Sequence, residues 1–409
     1  MKNFEVPSGY RSSLISAIKH KRREDDKLKK DVAPTLLDLG TLKIYLARHF
    51  GFCYGVENAI EIAYRTIEEN QGKRIYLLSE MIHNPQVNAN LIEKGVQFLQ
   101  DTNGHQIIPF EQLTKEDIVI IPAFGTTLEL ESIINRIGID IKKYNTTCPF
   151  VEKVWNRGEQ IAKKGFSIVI HGKPKHEETR ATFSHAAAHT PTVIVNDMED
   201  TIVLGKIISG ELPTAYFYDY FAGKFTEGFD PITDLNKLGV INQTTQLATD
   251  TQAISEYLKQ IITQKFGAAT LSDHFADTRD TLCYATNDNQ AAVNGLLQIP
   301  ADLAIVMGGK NSSNSSHLVE LCEQKLPTYF IDSASKLIDE KSIEHTNWKN
   351  KSVQLLQDYL PLGKPTSILM TSGASCPDPV VEAVIRKIAI FYGVETALDA
   401  IIATWESAH

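Results

Sequence analysis

Residues 50–70, FGFCYGVENAIEIAYRTIEEN, place a cysteine just ahead of a helical pattern in which Val56, Ala59, Ile60, Ala63 and Ile67 share one face. The same arrangement recurs twice. Residues 146–165, TTCPFVEKVWNRGEQIAKKG, carry Cys148 ahead of Val151, Val154, Trp155, Ile161 and Ala162, and residues 281–298, TLCYATNDNQAAVNGLLQ, carry Cys283. After each predicted helix come two short apolar runs, each ending in a polar loop and a further amphipathic stretch. They are RIYLLSEMIHNPQ and DIVIIPAFGTT, then FSIVIHGKPKHEE and LGVINQTTQ, then DLAIVMGGKNSSNSS and TSILMTSGAS. Short β-branched runs alternating with helices predict an α/β fold of small parallel sheets with crossover helices.

The spacing therefore predicts three similar α/β units arranged around a central site. They span residues 42–145 with Cys53, 146–275 with Cys148 and 276–409 with Cys283, after an extension over 1–41. Ligands of parallel sheets bind beyond the carboxyl ends of the strands, and all six polar loops fall there. One such loop is an ordinary connection; six rich in His, Glu, Ser, Thr and Asn predict a shared site. The extension lacks this plan, and its run KHKRREDDKLKKD (19–31) reads as a solvated helical face with no catalytic role.

Composition narrows the partners. The chain has 409 residues, 43% of them hydrophobic, and a formal net charge of −9 without a long basic stripe, which argues against nucleic acid. No apolar run reaches membrane-spanning length, and the first thirty residues lack the apolar core of a secretion signal. The expectation is a soluble, cytoplasmic protein. Five well-separated cysteines with no CxxC pair exclude a disulfide framework and a zinc ribbon.

A helix N-terminus favours a thiolate. Three thiolates on three units can bind three corners of a cubane iron–sulfur cluster, leaving one iron open to a substrate oxygen. A lone cysteine in such a place is more often core; three in equivalent positions are not. Cys322 shares a face with Leu318, Leu321 and Leu326 and reads as core, and Cys376 lies outside the repeated position. In HGKPKHEE, His176, Glu177 and Glu178 sit where a helix begins, and one of the two carboxyls can serve as a general acid. GGKNSSNSS, NQTTQ and TSGAS place hydroxyl and amide groups at strand-to-helix turns, where they and backbone N–H groups can hold phosphate oxygens. His83 can donate to the same anion. An iron–sulfur sensor without catalysis, and a zinc hydrolase of phosphate esters, remain alternatives at this stage.

The ordered set GFCYGV, MIHN, TTCPFVEKVW, HEETRAT, NQTT, LCYAT, KNSSNSSHL and TSGAS, from about Leu42 to about Gly393, resembles the 4-hydroxy-3-methylbut-2-enyl diphosphate reductase (IspH/LytB) family. The extension, PAFGTT and HGKPKHEET are similar to its longer plastid and cyanobacterial form. The resemblance implies that Cys53, Cys148 and Cys283 ligate a 4Fe-4S cluster with one open iron. It implies that Glu178 donates protons and that Thr244, of the pair Thr244 and Thr245, relays them. His83, His176, Thr244, Thr245, Ser312, Ser313, Asn314 and Ser375 would hold the substrate. The reaction implied is reductive dehydroxylation to isopentenyl and dimethylallyl diphosphate, the last step of the non-mevalonate pathway. Ferredoxin or flavodoxin would supply electrons, since no GxGxxG nucleotide fingerprint occurs. One departure is Phe124, which stands where the short form has a histidine; Cys376 also stands at a position usually small or hydroxylated.

Overall fold

The computed structural model describes residues 4–26, 30–276 and 281–406. The chain divides into two compact units: Met1–Glu61, Ile82–Asn90 and Tyr284–His409 form the first, and Ile62–Met81 with Leu91–Cys283 the second.

The second unit holds two three-stranded parallel sheets. In one, Ile75–Leu77 lies between Gln97–Phe98 and Ile118–Ile120; in the other, Ser167–His171 lies between Thr192–Val195 and Leu238–Asn242. In both, the strand that comes first along the chain takes the middle. The first unit repeats that order, with Leu303–Met307 between Thr328–Ile331 and Thr366–Ser372, again all parallel. The three copies expected from the sequence are thus three sheets of one topology. Their middle strands are buried along their whole length, as parallel strands covered on both faces must be.

The third sheet carries an addition. Leu42–Leu46 pairs in parallel with Thr366–Met370, and Thr35–Asp38 closes the edge antiparallel to it. Leu42–Leu46 opens the segment 42–145 in the sequence reading, yet its strand partner is at the far end of the chain. Each of the six strands predicted to end in a polar loop does so and is followed by a helix, the last two being Ser313–Glu323 and Asp378–Phe391.

Within the extension, Ser13–Asp25 is a helix capped by Ser12, whose hydroxyl accepts from Ile15 N at 3.0 Å. Its Leu14, Ile15 and Ile18 belong to the core of the first unit, together with Leu42, Ile44, Val381, Ile385 and Leu398, and Ala17 is buried as well. Lys21, Arg23, Glu24 and Asp25 point to solvent, so the predicted solvated face exists, but the helix also has an apolar face. Residues 27–29 of the charged run lie outside the described residues.

Candidate active site

Each of the three cysteines immediately precedes the first residue of a helix: Cys53 before Tyr54–Glu69, Cys148 before Pro149–Ala162, Cys283 before Tyr284–Leu296. All three are partly exposed, whereas Cys322 and Cys376 are fully buried.

In the second unit, Cys148 caps its helix, with Pro149 at the first helical position, where a missing N–H costs nothing. Its N–H donates to Ala123 O at 2.9 Å, and Thr146 Oγ1 donates to Ile121 O, which ties the loop to the exit of Ile118–Ile120. Burial pushes the Cys148 thiol up to about 12; the amides of Phe150 and Val151 oppose this, while Cys283 and Glu178 add to it. Two thiols and a carboxyl within electrostatic reach of one another suit a positively charged metal centre, which would reverse that shift.

Cys283 is linked to the Glu178 carboxyl through one turn. Its N–H donates to Thr244 O at 3.1 Å, and Thr244 in turn grips Glu178: its N–H donates to Oε1 at 2.5 Å and its hydroxyl to Oε2 at 3.0 Å. Glu178 is 2% exposed and Thr244 4%. His176 caps the helix Glu177–Ala187, its Nδ1 accepting from Glu178 N at 3.2 Å, and Phe124 meets the His176 ring edge-on at 5.6 Å. An aromatic edge therefore flanks His176, supplied by Phe124. Thr245 is used differently from Thr244, since its hydroxyl accepts from Gln243 Nε2 at 2.8 Å.

Gln243 is the residue sequence reasoning missed here. Fully buried, its Oε1 accepts from Thr179 Oγ1, Lys173 N and Gln246 Nε2, so one amide holds the turn against the helix that carries Glu178. Gly172 permits this packing, because a Cβ there would lie 2.7 Å from Thr179 Oγ1. The only sequence signal was its place within NQTT.

The first unit carries two of the three hydroxyl- and amide-rich loops, GGKNSSNSS and TSGAS. Ser312 caps the helix Ser313–Glu323, accepting from Ser315 N at 3.2 Å, so its hydroxyl serves the helix as well as facing the turn. Ser313 and Asn314 occupy the first turn and are buried. Asn314 Oδ1 accepts from Asn289 Nδ2 at 3.2 Å and from Ala374 N at 3.0 Å, while its Nδ2 finds no partner among the described residues although Asn314 is 4% exposed. A buried amide donor without an acceptor is costly, and a phosphate oxygen would satisfy it. Asn289, unassigned in the sequence reading, selects which end of that amide is left to donate. Ser375 Oγ donates to His83 O at 3.3 Å, and Cys53 N donates to Ala374 O at 3.2 Å, so His83, Asn314, Ser375 and Cys53 belong to one connected group. The backbones close in tightly: a Cβ at Gly309 would lie 2.2 Å from His83 O, and one at Gly373 2.0 Å from Ser315 Oγ.

Cys376 has left this group. It is buried among Leu46, Met370, Val380 and Val381, and burial pushes its thiol up to about 12. Cys376→Ala is expected to keep the visible spectrum and most activity, and to lower stability by about 1–2 kcal/mol through the small void left behind. Spectra before and after substitution, with a melting curve, check this.

Small parallel sheets, thiols opening helices, and a buried carboxyl linked to two of those thiols make an α/β fold with a site whose donor set suits a metal. The LytB protein family model matches residues 44–389, and the chain belongs to that family. It is 40% identical over 384 residues to the 4-hydroxy-3-methylbut-2-enyl diphosphate reductase of a Picosynechococcus strain, a match covering 94% of this chain and 90% of the relative. The protein of the same name from a Synechocystis strain is 40% identical over 364 residues, 89% of this chain and 93% of the relative. Among solved structures, the E-1-hydroxy-2-methyl-but-2-enyl-4-diphosphate reductase of Plasmodium falciparum superposes with a TM-score of 0.60 at 24% identity, over 85% of this chain and 89% of that one, which shows a shared fold. Among the described residues, no helix is long and apolar enough to cross a membrane.

Proposed function

We propose that this chain removes the hydroxyl group of 4-hydroxy-3-methylbut-2-enyl diphosphate reductively, giving isopentenyl and dimethylallyl diphosphate at the end of the non-mevalonate pathway. Family membership over residues 44–389 carries the reaction. The Thr244–Glu178 pair, held to Cys283, is the structural observation that supports the chemistry. In this reading each of the segments 42–145, 146–275 and 276–409 contributes one thiol, and Cys53, Cys148 and Cys283 hold a 4Fe-4S cluster. When bound, that cluster supplies two electrons, one at a time, and an open Lewis-acidic iron for the substrate's hydroxyl.

The protein's own residues do the rest. Ser312, Ser313, Asn314, Ser375, His83 and His176 bind the diphosphate through hydroxyl, amide and ring N–H donors and through the amides that open Ser313–Glu323. Thr244 holds the Glu178 carboxyl in one orientation, and Glu178 delivers a proton as the C–O bond breaks. Two electrons and two protons enter; one proton leaves in water and the other is kept on carbon, at either end of the allyl unit. Thr244, with Thr245 beside it, relays the replacement proton to Glu178. A ferredoxin or flavodoxin supplies the electrons, and the reaction is cytoplasmic.

Anaerobically purified protein is expected to show iron–sulfur absorption in the visible and to turn over the hydroxylated diphosphate with a reduced viologen. A colourless, zinc-containing protein that hydrolyses the phosphate ester would overturn the reading; a coloured protein without turnover would favour a sensor.

A further inference from the structure

We propose that residues 4–25 form a strap that positions Cys53; the proposal rests on the reading of Cys53 as a cluster ligand. The strap fastens itself through its apolar face, with Leu14, Ile15 and Ile18 at 0–2% exposure, and through Ser12, which donates to the Glu382 carboxylate. Its other side chains converge on the segment around Cys53. The Phe4 ring meets Tyr54 edge-on at 4.8 Å, and Tyr10 lies against Phe52 at 5.9 Å. Arg11 pairs with Glu57 at 3.2 Å. Lys19 sits 5.2 Å from the Phe50 ring centroid while bonding Asp378 at 2.7 Å.

The contacts fall on the residues immediately before and after Cys53, and on positions one helical turn further out. Backbone N–H groups of the segment also donate: Gly51 N to Ser372 Oγ at 3.1 Å, Cys53 N to Ala374 O at 3.2 Å, and Tyr54 N to Tyr284 Oη at 2.9 Å. Gly51 has φ +79°, and a Cβ there would lie 3.0 Å from both Lys19 Nζ and Asp378 Oδ1, so the turn is shaped to the strap. Cys53 also borders a cavity of about 600 Å³, and Phe4, Arg11, Lys19 and Arg23 form its wall on the strap side. A ligand on a loop must be held in place before the metal arrives, because ordering it afterwards weakens binding. Phe4, Tyr10, Arg11 and Lys19 are thus positioning residues: they set where Cys53 sits and how readily solvent reaches it.

The test compares the Phe4→Ala/Lys19→Met protein with Ile388→Val or another core variant chosen to match its loss of Tm. Amide hydrogen exchange at residues 51–54 should rise about tenfold in the strap variant, in holoenzyme and in metal-stripped protein alike, with little change elsewhere. The visible absorbance should also decay several-fold faster under an iron chelator than in the matched variant. Phe4→Tyr and Lys19→Arg should behave as wild type. Exchange at 51–54 that is unchanged, or raised equally in the matched variant, would show that the extension only adds stability and would overturn the proposal. A wild-type protein that never acquires iron defeats the ligand reading instead, while the exchange measurement on it still reports on the strap.

Discussion

Glu178→Gln is expected to lower turnover by about 10²–10⁴-fold, the usual contribution of a positioned general acid, while visible spectrum and substrate affinity stay near wild type. The geometry makes the variant a clean probe. Thr244 presents one obligatory donor, its N–H, and one hydroxyl that can also accept. A glutamine can turn its carbonyl to the N–H and its amide to the hydroxyl, keeping both contacts and losing only the exchangeable carboxyl proton. Single-turnover measurements on the reduced enzyme check this at the chemical step. A near-normal rate in Glu178→Gln, together with an inactive Glu177→Gln, would assign the acid to the neighbouring carboxyl instead.

The second large effect is expected at the thiols. Cys148→Ser should abolish the visible absorbance and reduce iron and sulfide content to background, as should Cys53→Ser and Cys283→Ser. Serine remains a neutral hydroxyl where a thiolate is needed, and the helix N-terminus that assists the sulfur cannot ionise an alcohol. Cys322→Ser is the internal comparison. It sits in a core with Val293, Leu296 and Leu318, so its hydroxyl loses about 1–3 kcal/mol of stability with no effect on iron. Full iron loading in Cys148→Ser would dismiss the three-thiol assignment.

The periodic parts of this molecule were legible in one dimension. Helical spacing after Cys53, Cys148 and Cys283, and apolar runs ending in polar loops, identified the three cysteine positions and six strand-to-helix turns, five of which carry the other proposed site residues. Sheet partners were not, because the run LKIYL at 42–46 says that a strand forms but nothing about its neighbour, which is supplied by Thr366–Met370. Gln243 and Asn289 escaped for a different reason. An uncharged amide in a turn or on a helix looks like any solvated residue, and its value lies in which way it faces its partners. The extension was read from its charged run alone, which is solvated as expected; the four apolar residues Leu14, Ile15, Ala17 and Ile18 that precede the run supply the buried face.

That distant pairing has a consequence during synthesis. Cys53 leaves the ribosome well before Ser372 and Ala374, which hold its loop, and Thr366–Met370, which flanks its strand. At about 5–20 residues per second, roughly 320 residues separate the two strands and impose a delay of roughly 16–64 s. Throughout that interval the nascent chain displays a thiol with no finished pocket around it, and the later closure is a long-range, entropically slow contact. In the three-thiol reading, metal delivery would follow closure of that loop, and the unfinished chain would have to stay reduced until Ser372 and Ala374 arrive.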